Sequence, residues 1–209
     1  GLPHDALNTT VKFTKGSRIR EEDVILTPAT ITKTNYAYLI EWTEYNASRA
    51  LYYLLSNNVF VKAAYKPFAA QVNGVKKSFG YGTLVIPVAD QNIPADELYE
   101  AVKAASQTSG VDVYSVNTGY SLEGVDLGSS NIRTVQSPKV VMLIGEGVAA
   151  TDAGAIWYLL DSKLKMPITK VNTSQFGQLR INDYNTLIMV SGNYGILGEN
   201  GIAKIKNWV

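Results

Sequence analysis

The sequence predicts an α/β fold made of two tandem βαβ units with a mostly parallel sheet. The clearest unit is KVVMLIGEGVAATDAGAIWYLLD, residues 139–161, in which an apolar run, a glycine turn and an amphipathic helix follow one another. Part of this pattern recurs about 105 residues earlier, where ALYYLL at 50–55 corresponds to AIWYLL at 155–160. Strand and helix candidates alternate along the rest of the chain, which is typical of Rossmann- or flavodoxin-like units.

Composition limits the classes of function. The chain has 209 residues, of which 46% are hydrophobic and 18% charged, as expected of a protein with a buried core. Its formal net charge of +1 gives no electrostatic basis for binding nucleic acid or an anionic membrane, and neither is predicted as a partner. Because the sequence contains no cysteine, disulfides, thiol nucleophiles and thiolate metal ligands are excluded. No apolar run reaches the roughly 18 residues that a membrane helix needs.

The first unit is predicted to span residues 1–136. Residues 1–35 read as a polar N-terminal segment, and 36–42 as a strand. Asn46 is expected to cap a helix whose apolar residues recur at helical spacing. The other predicted elements are strands at 59–65, 83–88 and 111–116, a hairpin turning at Asn73-Gly74, and a helix from Pro94 to Gly110. Residues 117–137 are predicted to be a polar loop between the units.

The second unit is predicted to span residues 137–209. A strand at 139–144 leads through glycines into a helix capped by Thr151 or Asp152, with Trp157 in the core. Further strands are expected at 168–171 and 186–190, followed by a final apolar-faced helix. About three strands and two helices are few for an independent doubly wound domain. Either the two units share one sheet, or the natural chain continues past Val209.

Two polar loops form the candidate ligand site. Ligands of open parallel sheets bind at the carboxyl ends of the strands. The residues expected there are Gly145, Glu146, Gly147, Ser191, Gly192 and Asn193. The first loop opens the sequence GEGVAA, which fits the G-x-G-x-x-A pattern of dinucleotide-binding proteins. Because the next predicted strand, at 168–173, carries no acidic residue for a ribose, a plain tight turn is favoured over a nucleotide site.

No catalytic residue and no metal ligand are predicted. His4 is the only histidine, so no pair of histidines and no His-x-x-Glu pair can hold zinc within this chain. A serine-histidine-aspartate triad would depend on that same N-terminal imidazole. Ser191 and Thr118 remain the candidates for a nucleophile if the chain is an α/β enzyme in its own right.

The chain contains four segments that resemble a known family: YAYLIEWTEYNASRALYYLLSNNVFVKAAYKPF, YGTLVIPVADQN, DVYSVNTGYSLEGVDLGS and PKVVMLIGEGVAATDAGAIWYLLDSKLKMPITKV. They resemble the region that follows the catalytic domain in large zinc carboxypeptidase-like proteins of Bacteroidetes-type bacteria. The resemblance extends over about residues 35–209, and its most specific part is LIGEGVAATDAGAIWYLLD. In that family the region is similar to the class I glutamine amidotransferase-like fold.

This resemblance implies a non-catalytic accessory domain of a metallopeptidase. The family's zinc ligands, a His-x-x-Glu pair and a later histidine, lie upstream and have no counterpart here, and the turn at 116–119 lacks the cysteine of an amidotransferase. The resemblance therefore implies no cofactor in this chain and zinc in the parent's catalytic domain. It implies that domain as the partner, with the peptide substrate as a second one, and a periplasmic or secreted location. The alternative is a stand-alone module that binds a nucleotide or small ligand at the glycine loop.

Overall fold

The computed structural model describes Ser17 and residues 30–209, so most of the predicted N-terminal segment, and His4 with it, lies outside the described residues. In chain order the described elements are β1 (Ala37–Ile40), α1 (Ala47–Ser56), β2 (Lys62–Ala64), β3 (Phe68–Val72), β4 (Val75–Phe79), β5 (Leu84–Pro87), α2 (Ala95–Ser109), β6 (Tyr114–Val116), β7 (Glu123–Gly124), β8 (Ile132–Thr134), β9 (Val140–Ile144), α3 (Ala150–Trp157), β10 (Thr169–Asn172), β11 (Thr186–Ile188) and α4 (Gly198–Trp208).

The first unit is built around a five-stranded antiparallel sheet. Its strand order is β6-β1-β5-β2-β8, and every neighbouring pair in it is antiparallel. Helix α1 connects β1 to β2, and β5 lies between these two strands in the sheet. Helix α2 connects β5 to β6, and β1 lies between those two. Two interleaved split βαβ connections of this kind define the ferredoxin-like arrangement.

Both faces of this sheet are covered. Helices α1 and α2 pack on one face, and the small sheet β4-β3-β7 packs on the other. The helix-side core contains Tyr38, Ile40, Leu54, Leu84, Ile86, Leu98 and Val102. The opposite core contains Leu39, Phe68, Phe79, Val85, Val116 and Ile132. Alternate residues of the central strands therefore point into two different cores, which makes this unit a three-layer structure.

The prediction of a parallel, Rossmann-like first unit is wrong. Leu84 and Val85 are buried on opposite faces, as their apolar run predicts. The second covering layer, however, is a β-sheet and not a layer of helices, so the run does not indicate parallel pairing. The loop predicted at 117–137 contains β7 and β8, each of which adds a strand to one of the two sheets. The molecule is thus a mixed α/β protein with antiparallel and parallel sheets.

Most of the local predictions in this unit are confirmed. The hairpin β3–β4 turns at Asn73 and Gly74, whose φ angles of 49° and 81° are those that the dipeptide predicts. Gly110 ends α2 with a φ of 68°. Asn46 precedes α1 as expected, but its side chain donates to the Ser109 carbonyl (2.7 Å) and makes no capping bond. This amide therefore links the two helices.

The second unit has the predicted parallel sheet. Its order is β10-β9-β11, with β9 parallel to both neighbours. This matches the first three strands of the flavodoxin-like order 2-1-3-4-5. Helix α3 packs against β9 and continues as a wider turn at Tyr158–Lys163, while α4 and the short helix Thr173–Gln178 cover the other face around Phe176. The strands of the two units belong to separate sheets, so the units do not share one.

The sequence match between the units does not correspond to a structural repeat. The segments at 50–55 and 155–160 are both helical. A second match, YGTLV at 81–85 with YNTLI at 184–188, falls on β5 and β11, which pair in opposite senses. Strand β5 is antiparallel to β1, whereas β11 is parallel to β9. Within residues 30–209, no helix combines the length and apolar character needed to cross a membrane.

Candidate functional site

The structure brings the two predicted site loops together at the carboxyl edge of the parallel sheet. The residues concerned are Gly145, Glu146 and Gly147 after β9, and Ser191, Gly192 and Asn193 beyond β11. The Ala149 N–H donates to the Ser191 carbonyl (2.9 Å), and the Asn193 N–H donates to the Gly147 carbonyl (2.7 Å). An isolated antiparallel bridge between Val148 and Gly192 completes the contact. All six residues are therefore neighbours on one exposed rim.

The glycines of these loops allow the two backbones to approach each other. Gly147 has a φ of 80°, and a Cβ at that position would lie 2.3 Å from the Asn193 carbonyl oxygen. A Cβ on Gly192 would lie 2.4 Å from the Gly147 carbonyl oxygen. In a dinucleotide-binding fingerprint the second glycine instead makes room for a pyrophosphate. Loop-to-loop contact explains Gly147, the second glycine of the G-x-G pattern, and ligand binding by these residues stays a prediction.

A third segment of the rim was missed by the sequence analysis. Asn172 ends β10 and is followed by Thr173 and Ser174, and the Thr173 hydroxyl donates to the Glu146 carbonyl (2.9 Å). The Asn172 side-chain oxygen accepts from the Ser174 backbone N–H (3.1 Å) and hydroxyl (3.0 Å). The rule that carboxyl ends of parallel strands share one edge could have identified this segment.

A lysine of α4 holds the short helix beneath this rim. The Lys204 ammonium donates to the carbonyls of Phe176 (3.1 Å), Gly177 (2.8 Å) and Leu179 (2.6 Å), which lie at the end of the helix Thr173–Gln178. Positive charge is favourable at the carboxyl end of a helix, where carbonyl groups have no helical partners. The contact ties α4 to the segment that carries Thr173.

A second surface of interest lies at one end of the antiparallel sheet. Four exposed aromatic side chains define this aromatic end surface: Trp42 (44% exposed), Tyr45 (93%), Tyr65 (55%) and Tyr81 (68%). The ring of Trp42 lies against Gly82, where a Cβ would be 2.9 Å from the indole Cγ. The Gly82 N–H donates to the Ala64 carbonyl (2.7 Å), which places Tyr65 and Tyr81 on adjacent chain segments. Tryptophan rings most often lie in a protein core, but that expectation is wrong for Trp42.

Charged groups border the aromatic end surface. The Lys77 ammonium lies 2.9 Å from the Glu41 carboxylate and 4.5 Å from the centroid of the Tyr114 ring. The hydrogen bond that the Lys77 ammonium donates to the Glu41 carboxylate raises the pKa of Lys77. The Arg133 guanidinium lies 4.7 Å from the centroid of the Tyr65 ring. Positively and negatively charged side chains therefore both lie beside the exposed rings.

The pKa of Glu44, on the loop between β1 and α1, is raised by burial and, to a smaller extent, by the negative charge of Asp112. The folded protein therefore binds this proton more tightly than the unfolded chain. The resulting stability is fully present below the ordinary glutamate pKa of about 4.3 and is lost as pH rises through the folded-state value. We expect Glu44→Gln to raise the free energy of unfolding relative to the parent more at pH 7 than at about pH 4, as measured by urea denaturation.

The control for this pH prediction is Thr43→Ser, an exposed substitution on the same loop that removes no titratable group. Its stability difference from the parent is expected to change little between the two pH values. An equal or larger pH dependence for this control would contradict the assignment to Glu44.

Helix α3 of the second unit differs from the prediction in two ways. Ala149 occupies the N-cap position of α3 without a side-chain hydrogen bond, so neither Thr151 nor Asp152 caps it. Trp157 was predicted to be in the core but is 38% exposed, with the Lys170 ammonium 4.4 Å from its ring centroid. The reason is that β10 is the last strand on this side of the sheet among the described residues, so no further strand of that part of the chain covers the indole.

Among the described residues, no side chain forms a hydrogen bond with the hydroxyl of Thr118 or of Ser191, the two candidate nucleophiles. The Thr118 hydroxyl accepts from the Tyr120 backbone N–H (3.2 Å), and Ser191 contacts the glycine loop through its carbonyl. In the part of the chain that the structure describes, no three His, Cys, Asp or Glu side chains are grouped so as to hold a metal ion.

The fold and these two surfaces define the class as a mixed α/β protein with a ferredoxin-like unit followed by a parallel βαβ unit. Comparison with protein-family models, with curated proteins and with solved structures finds no match to this chain.

Proposed function

We propose that this chain is a non-catalytic accessory domain that packs against the catalytic domain of a larger peptidase, which by sequence resemblance is a zinc carboxypeptidase. The observation that carries the proposal is the aromatic end surface. Its role is to support that catalytic domain or to position its peptide substrate. Zinc then belongs to the catalytic domain of the parent, and the location is periplasmic or secreted.

The composition of the aromatic end surface fits a protein partner. Trp42, Tyr65 and Tyr81 are exposed on neighbouring strand ends, and Arg133 stacks near Tyr65. Tryptophan, tyrosine and arginine are the residues that contribute most often to binding hot spots between proteins. Because Trp42 is held against Gly82, little side-chain freedom is lost when a partner covers it.

The second unit also supports the proposal. Three parallel strands with helices on both faces are compatible with the glutamine amidotransferase-like fold that the resemblance implies. The close contact between its two glycine loops gives these loops a structural role without any catalytic group. A module of this kind would act through the shape of its surface, by supporting the catalytic domain or positioning the peptide substrate.

The test is to produce the domain encoded upstream of this segment and to measure its affinity for this chain by calorimetry. We expect the double variant Trp42→Ala/Tyr81→Ala to bind at least about 30-fold more weakly, since a hot-spot residue contributes about 2 kcal/mol or more. Tyr158→Ala, at an exposed tyrosine on the other unit, is the matched control and is expected to leave the affinity unchanged.

Two results would contradict the accessory-domain proposal. One is an upstream sequence without a His-x-x-Glu pair and a later histidine. The other is equal affinity of the double variant and the parent chain.

A second candidate function is the binding of a nucleotide or small polar ligand at the carboxyl edge of the parallel sheet. It is favoured by the convergence of loops from all three strands on one exposed rim. Thermal denaturation with ATP, NAD or glutamine is the test, because a ligand at 100 times its Kd adds about 2.7 kcal/mol of stability. An unchanged Tm with all three would count against this function.

A further inference from the structure

We infer that the groove between α3 and the outer edge of β10 binds an extended peptide segment as an added strand. The segment carries an apolar side chain that enters a pocket beside Trp157 and an acidic side chain next to Lys170. This inference goes beyond the proposed function and does not depend on which domain covers the aromatic end surface.

The backbone of β10 is paired on one side only. Within the described residues, β10 ends the order β10-β9-β11, and its register runs from Thr169 opposite Val141 to Asn172 opposite Ile144. The N–H and C=O groups on its other side face outward. An extended peptide presents its backbone N–H and C=O groups at the same spacing as those of an edge strand. The occupant that fits this edge is therefore another strand.

The side chains of β10 distinguish its two faces. Lys170 and Asn172 lie opposite Met142 and Ile144 on the face that α3 covers, whereas Val171 joins the core around Phe176 on the other face. Thr169, Lys170 and Asn172 are exposed, in contrast to the buried residues of β9. A strand added at this edge would therefore extend both faces of the sheet, with every second side chain under α3.

A pocket of about 300 Å³ lies between α3 and the sheet, beside Lys170 of the edge strand. Its lining includes Met142, Ile144, Val148, Gly154, Trp157 and Lys170. Gly154 lies inside α3, where glycine weakens a helix, yet a Cβ at that position would meet no atom within 4 Å. The chain's own packing does not require this glycine. The space above it suits an apolar side chain from the added strand.

Charge favours an acidic peptide over a second copy of this chain. Lys170 is exposed on this edge strand, and Lys163 and Lys165 are exposed in the segment that leads into it. None of the ion pairs among the described residues includes these three lysines. Lysine on an edge strand discourages self-pairing, because two copies would bring like charges together. A carboxylate on the incoming peptide would instead be attracted by the ammonium group of Lys170.

The probe for the test is a fluorescein-labelled octapeptide, Glu-Thr-Leu-Thr-Glu-Thr-Leu-Thr, whose glutamates and leucines share one face when it is extended. Binding is measured by fluorescence polarisation with the full chain. Two probes methylated on alternate backbone nitrogens, in the odd or the even positions, test for strand pairing. We expect one of these probes to bind at least tenfold more weakly than the parent probe and the other to bind equally. We also expect the probe with lysine in place of glutamate to bind at least tenfold more weakly.

The matched protein variants are Gly154→Leu and Ala155→Leu. The first places a side chain in the pocket, and we expect at least a tenfold loss of affinity. The second adds the same side chain at the next, exposed position of α3 and is expected to bind as the parent does. Equal binding by both methylated probes, or unchanged binding by a folded Gly154→Leu variant, would overturn the inference. So would absence of binding by the unmodified probe.

Discussion

Phe176→Ala is expected to lower the free energy of unfolding by about 3–5 kcal/mol, as the loss of a buried aromatic ring typically does. The Phe176 side chain is 1% exposed and forms the centre of the second unit's core with Leu143 and Ile181. Its backbone carbonyl also accepts a hydrogen bond from Lys204. The cavity would lie directly beneath the rim that carries Thr173. Urea denaturation followed by circular dichroism measures the change.

The matched comparison for this loss is Trp157→Ala. Because the indole is 38% exposed and its main polar contact is with the Lys170 ammonium, we expect a loss of only about 1 kcal/mol. A larger effect at Trp157 than at Phe176 would mean that the core of this unit lies on the α3 side of the sheet.

Gly147→Ala is expected to destabilise the protein by about 2–5 kcal/mol. The left-handed backbone conformation costs an alanine about 1–2 kcal/mol, and relief of the overlap with the Asn193 carbonyl adds about 1–3 kcal/mol. The loops at 145–147 and 191–193 would have to separate, so the hydrogen bond from the Asn193 N–H to the Gly147 carbonyl is lost. Hydrogen exchange at the Asn193 amide should become faster, and urea denaturation gives the energy.

Gly177→Ala is the control for this effect. A Cβ at Gly177 meets no atom within 4 Å, so its free energy of unfolding should stay within about 0.5 kcal/mol of the parent. If Gly147→Ala were equally mild, the close approach of the two loops would not be required for stability.

The sequence predicts the elements better than their pairing. The hairpin at Asn73-Gly74, the end of α2 at Gly110 and the strand-turn-helix at 139–161 follow from local rules, since turn residues and helical periodicity act over a few residues. The parallel sheet of the second unit is confirmed for the same reason, because a strand, a helix and a strand in succession favour a parallel pair.

The pairing of the strands in the first unit could not be predicted from such local rules. An apolar run such as Leu84 to Ile86 indicates burial on both faces, but it does not tell whether helices or a second sheet provide the cover. The hairpin β3–β4, which supplies that cover together with β7, was predicted as a hairpin without a position in the fold. Its position depends on contacts between residues far apart in sequence.

The candidate site could be predicted only in part, because some of its features depend on contacts between residues far apart in sequence. The two glycine loops were placed at one edge because carboxyl ends of parallel strands meet there. The exposure of Trp42 and Trp157, by contrast, depends on which neighbouring strands and domains are present, and residue type alone favours burial. Both surfaces proposed for partners therefore became visible only in the three-dimensional structure.

The interleaved order of the antiparallel sheet also affects how the protein is made on the ribosome. Strand β1 has β5 on one side and β6 on the other. Its first ladder therefore cannot form until residues 84–87 have left the exit tunnel, and its second cannot form until residues 114–116 have left. Strands β9, β10 and β11 need only about fifty consecutive residues. The nascent N-terminal half must therefore remain open while much of it is synthesised, whereas the C-terminal half can collapse soon after it emerges.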